Sequence, residues 1–216
     1  MPLANVKSRW SGGDLYFYDK SGNEILHIDG SNRKLVVPSG SAFDVSALNQ
    51  GTGFIPLPLE DWRELATNAT INATGNGGLL ASDTTPIFER VNGATDKQLR
   101  IRWAASNSDE LTQQFVYPPD LDDAQPIVVN LLMAMGGATD TPTVAVAFFE
   151  NVGDTNAGGN TAAVTGTTLA RYSVSIAASD VGAYPAVASV SLVVGAHTTD
   201  TALLYGSWIT YTRKTT

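Results

Sequence analysis

What recurs along this chain is alternation with a period of two residues, and no stretch carries a sustained helical repeat. Segments such as "TVAVAFFE" and "RYSVSIAA" place apolar side chains at every second position, and between them runs "NVGDTNAGGNTAAVTGTT", rich in Gly, Asn, Asp and Thr. Alternation of this kind puts successive side chains on opposite faces of a strand, with one face for a core and the other for water. It predicts strands over residues 59–66, 86–91, 98–103, 111–117, 127–135, 143–151, 169–177, 186–194 and 203–212. "LEDWRELA" and "ASDVGAYP" offer a single helical turn each, the second capped by Ser179 or Asp180 and stopped by Pro185. The fold class expected is all-β: an antiparallel, jelly-roll-like β-sandwich over residues 54–216.

Ahead of it lies something smaller. "DLYFYDKSGNEILHIDGSNRKLVVPSG" is a set of short apolar strands cut by the turn-formers "DKSG", "DGSN" and "PSGS". A β-meander is therefore expected over residues 14–53, preceded by an irregular basic arm over residues 1–13 that carries Lys7, Arg9 and Trp10. Pro56 and Pro58 cannot donate to a ladder, and with the surrounding glycines they mark residues 49–62 as an extended link. Within the meander Leu26 and Ile28 share a face, as do Leu35 and Val37, while Leu15 and Phe17 lie opposite Tyr16 and Tyr18. That is more apolar surface than so small a sheet can hide. The same strands of symmetry mates are the simplest cover, which makes these six apolar residues the expected interface of a homotrimer.

Composition removes several function classes. With 13 Lys+Arg against 21 Asp+Glu the formal charge is −8, which disfavours nucleic acid as a partner. There is no cysteine, so disulfides and thiolate metal sites are out. "MPLANVKSRWSGG" has no signal-like apolar run, and nowhere do about 18 apolar residues follow one another. The expectation is a protein made in a cytoplasm with no membrane partner.

No catalytic constellation emerges, and no cofactor is implied. His27 and His197 sit in different regions and read as packed or solvent-facing. Asp120, Asp122 and Asp123 cluster in "PPDLDDAQP" without the glycine and closing glutamate of a calcium loop, so they read as a solvated acidic loop. Glu60, Asp61 and Glu64 do not define the cross-cleft pair of a glycosidase, and "GNGG" lacks a phosphate-binding lysine and helix. The two "NAT" sequons at Asn68 and Asn72 read as strand-loop sequence. An enzyme is not expected.

Residues 12–46, "GGDLYFYDKSGNEILHIDGSNRKLVVPSGSAFDVS", resemble the N-terminal segments of tailed-bacteriophage virion proteins. There an aromatic strand, "SGNEI", an "IDG" turn and a "VPSGS" turn precede a larger β domain. The resemblance implies a homotrimeric head decoration (cement) protein or head fibre, attached to the major capsid protein at the outer surface of the virion. Lys7, Arg9 and Trp10 of the arm would then make the capsid contact, cations beside an aromatic anchor repeated in each subunit. The alternative is a fibre recognising a host-surface glycan, with Trp103, Tyr117 or Tyr184 stacking on sugar rings.

Overall fold

The computed structural model describes residues 7–19, 21–36, 51–66, 70–71, 86–91, 93, 97–150 and 157–214. The chain divides into two compact units, Met1–Asn49 and Gln50–Thr216.

The first unit is a four-stranded antiparallel meander of β1 (Lys7–Ser11), β2 (Asp14–Tyr18), β3 (Glu24–Asp29) and β4 (Lys34–Val36), paired in chain order. Residues 7–11 are thus not an irregular arm, as the sequence suggested, but an edge strand. The cause is the turn that follows. Gly12 and Gly13 both take positive φ, 63° and 93°, the geometry of the two-residue hairpin turn whose twist matches its flanking strands. Ser11 then pairs with Asp14 and Trp10 with Leu15. The next two turns are fastened by aspartates. Asp19 accepts the Ser21 and Asn23 N–H groups at 2.8 Å each, and Asp29 accepts the Asn32 N–H at 2.9 Å and the Ser31 hydroxyl at 2.7 Å. The Asn23 and Asn32 side-chain amides also donate to them, at 3.0 and 2.7 Å, and these bonds, with the others, hold both carboxyls below the usual range for Asp.

The second unit is the expected sandwich. One sheet runs β13 (Ala157–Asn160), β12 (Val144–Glu150), β15 (Val187–Val194), β10 (Leu111–Val116), β6 (Arg63–Ala66) and β7 (Thr70–Ile71). The other runs β14 (Ala170–Ile176), β11 (Ile127–Met135), β16 (Ala202–Thr212), β9 (Leu99–Trp103) and β8 (Ile87–Arg90), with β5 (Thr52–Pro56) added on β16. From β10 onward the chain crosses repeatedly between the sheets, the jelly-roll-like connectivity. The two one-turn helices occur as 3-10 turns at Leu59–Asp61 and Ala178–Asp180.

β5 corrects the expected link at residues 49–62. Its Pro56 lies at an outer edge facing Trp208, where a missing N–H breaks no ladder bond on the solvent side. Gly53 faces Tyr211 so closely that a Cβ there would enter the ring, which is why this strand contains glycine.

The alternation read from sequence becomes the core. Leu111, Phe115, Val144, Val146, Phe148, Val190 and Leu192 of one sheet meet Ile101, Trp103, Ile127, Val129, Leu131, Val174, Leu204 and Ile209 of the other. The Trp62 indole donates to Ser207 Oγ at 3.1 Å, and that hydroxyl donates to the Leu57 carbonyl at 2.8 Å, so the buried polar atoms at this edge satisfy one another.

Candidate functional site

The outward face of the first sandwich sheet carries a cleft of about 750 Å³. It arises from the strand residues that the core leaves over. On β12, β15 and β10 the inward positions are apolar except for Gln113 and Glu150, and the outward ones include Phe149, Ser189, Ser191, Thr112 and Gln114. Register aligns them: Phe149 opposite Ser189 and Ser189 opposite Gln114 make one row, and Ser191 opposite Thr112 and Thr112 opposite Arg63 make the next. Leu65 adds an apolar patch, and Asp61 and Glu110 add two carboxylates.

Among the described residues, Gln114, Ser189 and Ser191 make no side-chain hydrogen bond within the chain. They are held on central strands, Gln114 exposed, Ser189 half-buried and Ser191 buried where it lines the cleft. Arg63 is pinned: its Nη1 donates to the Glu60 carbonyl at 2.8 Å and to the Trp62 carbonyl at 2.9 Å. The arrangement provides hydrogen-bonding groups of both senses, an aromatic ring and fixed charges on a rigid open surface. Such a surface suits a ligand rich in hydroxyls with apolar C–H faces.

The residues singled out from sequence are distributed differently. In the meander, Leu15 pairs with Ile28 and Phe17 with Leu26, and Ile28 pairs with Leu35, so the expected interface residues fall in one set of register positions. Trp10 joins them opposite Leu15, 71% exposed, and Ile28 is 44% exposed. Val37 lies outside the described residues. Arg9 pairs with Tyr16 on the opposite face, beside a stack of Tyr16 on His27 at 4.7 Å. Arg9 and Trp10 therefore do not form one patch, contrary to the reading of Lys7, Arg9 and Trp10 as a joint contact, because adjacent strand residues point to opposite sides. Lys7 occupies the register position opposite Tyr18. None of this unit's described side chains is buried.

Trp103 and Tyr117, expected as sugar-stacking candidates, are core residues, and the Trp103 indole donates to the Asp109 carbonyl at 3.1 Å. Tyr184 is exposed. His197 is buried between the Gly195 and Ala104 carbonyls. Asp120 and Asp123 are ion-paired with Arg213 and Lys214, and the described residues contain no cluster of metal-ligating side chains. Asn68, Asn72 and "GNGG" lie outside the described residues. Sequence reasoning missed the cleft itself; its trace is the polar half of the alternation in "LTQQF" and "SVSL".

No family model and no curated protein matches the chain. Among solved structures it is similar to the carbohydrate-binding module TmCBM61, solved with β-1,4-galactotriose (TM-score 0.41, 14% identity, 59% of this chain and 81% of that one). It is also similar to the CBM36-1 domain of a multidomain xylanase from the hindgut metagenome of Trinervitermes trinervoides (TM-score 0.41, 11% identity, 76% and 100% covered). A third is the xylan-binding module CBM15 (TM-score 0.42, 12% identity, 76% and 100% covered). Likeness of this degree leaves ligand and function to be decided by the chain's own residues.

Proposed function

We propose that this chain is a non-catalytic binding protein of a bacteriophage particle. Its sandwich holds a host-surface glycan in the outer-face cleft, and its N-terminal sheet serves assembly and attachment. The observation that carries the reading is the cleft: Gln114, Ser189 and Ser191 unpaired around Phe149 on the central strands of a rigid sheet. A saccharide meets each of these groups with a matching one, hydroxyls for the amide and hydroxyls, C–H faces for the ring. Because the strands are already ordered, binding costs little conformational entropy. The order of the two sequence expectations is thereby reversed, with glycan recognition ahead of capsid decoration.

A specific observation favours keeping decoration as a second, compatible reading. Trp10 and Ile28 are exposed on a sheet none of whose described side chains is buried, a surface suited to another copy or to a capsid. On this reading three copies close their sheets on one another and sit on the major capsid protein.

The experiment is titration calorimetry of the whole chain against neutral oligosaccharides, with Phe149→Ala and Gln114→Ala as site variants. Binding weakened about tenfold or more by either change supports the cleft, since each removes a contact of order 1–2 kcal/mol. Binding to no saccharide, with capsid co-sedimentation retained, would leave decoration as the function.

A further inference from the structure

Resting on the glycan reading, we infer that the cleft selects saccharides bearing a carboxylate, such as uronic acids, through the free edge of Arg63. A guanidinium has five N–H donors in one plane. Arg63 gives its Nη1 to two main-chain carbonyls, those of Glu60 and Trp62, which accounts for both N–H groups on that nitrogen. Nε–H and the Nη2 group remain, and they form the side edge whose two parallel N–H bonds match the two oxygens of a carboxylate.

The main-chain anchors fix the plane of that edge. No carboxylate of the described chain occupies it, although Asp61 and Glu110 line the same cleft. Arg100 and Arg102 both meet Glu89, and Arg213 meets Asp120, whereas Arg63, Arg90 and Arg171 meet no carboxylate among the described residues, and of these three Arg63 alone lines the cleft. It is also the one cation among the described cleft-lining residues.

The two carboxylates refine the ligand. They oppose a polyanion in general, so long-range attraction is weak in a chain of net charge −8 and selection depends on the short-range fork. Asp61 and Glu110 are suited to accept sugar hydroxyls, leaving the sugar's own carboxylate to Arg63. The ligand this describes has one acid group among several hydroxyls on a ring whose C–H face meets Phe149.

The test compares three probes of matched length on the whole chain: a tetramer of galacturonic acid, the same tetramer with its carboxylates methyl-esterified, and a galactose tetramer. The acid is expected to bind about tenfold or more tighter than its ester at low salt, the preference shrinking as salt is added. In Arg63→Lys the charge stays and the fork is lost, so the preference over the ester should largely vanish. Because Arg63 also ties the turn before β6, the wild-type acid-to-ester ratio is the decisive number and needs no variant. Equal binding of acid and ester would overturn acid selection while the glycan reading stands. Binding of none of the three, together with none of the neutral saccharides above, would remove both. Tighter binding of a sulfated tetramer than of the uronate would also overturn the carboxylate assignment.

Discussion

Neighbouring phenylalanines show how strictly a strand sorts its residues. Phe148 is 1% exposed and packs on Phe115 with ring centroids 6.3 Å apart, whereas Phe149 lines the cleft. Phe148→Ala should cost about 3–5 kcal/mol in urea denaturation, and Phe149→Ala far less while weakening saccharide binding. Gln113 is a different case. It turns inward between Leu111 and Phe115, and its Oε1 is buried without a partner. Gln113→Leu should leave stability unchanged or raise it by about 1 kcal/mol, because a stranded polar atom is removed. Asp140 and Asp200 tie two loops reciprocally: the Asp200 and Thr199 N–H groups donate to Asp140 at 2.8 and 2.6 Å, and the Asp140 N–H donates to Asp200 at 2.9 Å. The first of these bonds, with the second, holds the Asp140 carboxyl below its ordinary value of 3.8. A carboxyl depressed in the folded state contributes its stability above the unfolded pKa and loses it as pH falls through the folded one. Melting temperature should therefore hold near neutrality and drop below about pH 4, and the drop should be shallower in Asp140→Asn.

At the level of elements, the sequence was readable wherever a strand carries regular alternation or a long apolar run. β11, "IVVNLLMAM", begins and ends where its nearly continuous apolar run places it, at Ile127 and Met135. β1, β5 and β13 escaped, although the edge strands β8 and β14 did not, and the three share a reason: a strand paired on one side needs neither a full set of N–H donors nor a regular apolar face. β5 contains Gly53 and Pro56, β13 is "AGGN", and β1 is "KSRWS", with one apolar residue. The cleft was hidden more deeply, since its lining comes from residues as distant as Asp61 and Ser191 and only register joins them. β1 revises what a truncation does. Removing residues 1–11 takes away a paired strand and bares the edge of β2, so amide exchange over Leu15–Tyr18 should accelerate sharply while the sandwich amides keep their protection.

For the whole molecule the two units call for separate tests. If the meander is the assembly element, native mass measurement should give three times 22.8 kDa, and Leu15→Ser with Ile28→Ser should return single chains whose sandwich melts as before. A wild-type chain that stays single on concentration would rule this out. The sandwich, for its part, depends on one strand. β16 pairs with β11 along one edge, and with β9 and then β5 along the other, so segments from the start, middle and end of the unit meet on it. On a ribosome these partners emerge first and wait, their hydrogen-bonding edges open, until residues 202–212 arrive. Closure of the sandwich then waits for β16, and a nascent chain halted before Ala202 should be taken by chaperones or proteases instead of accumulating as a partial domain.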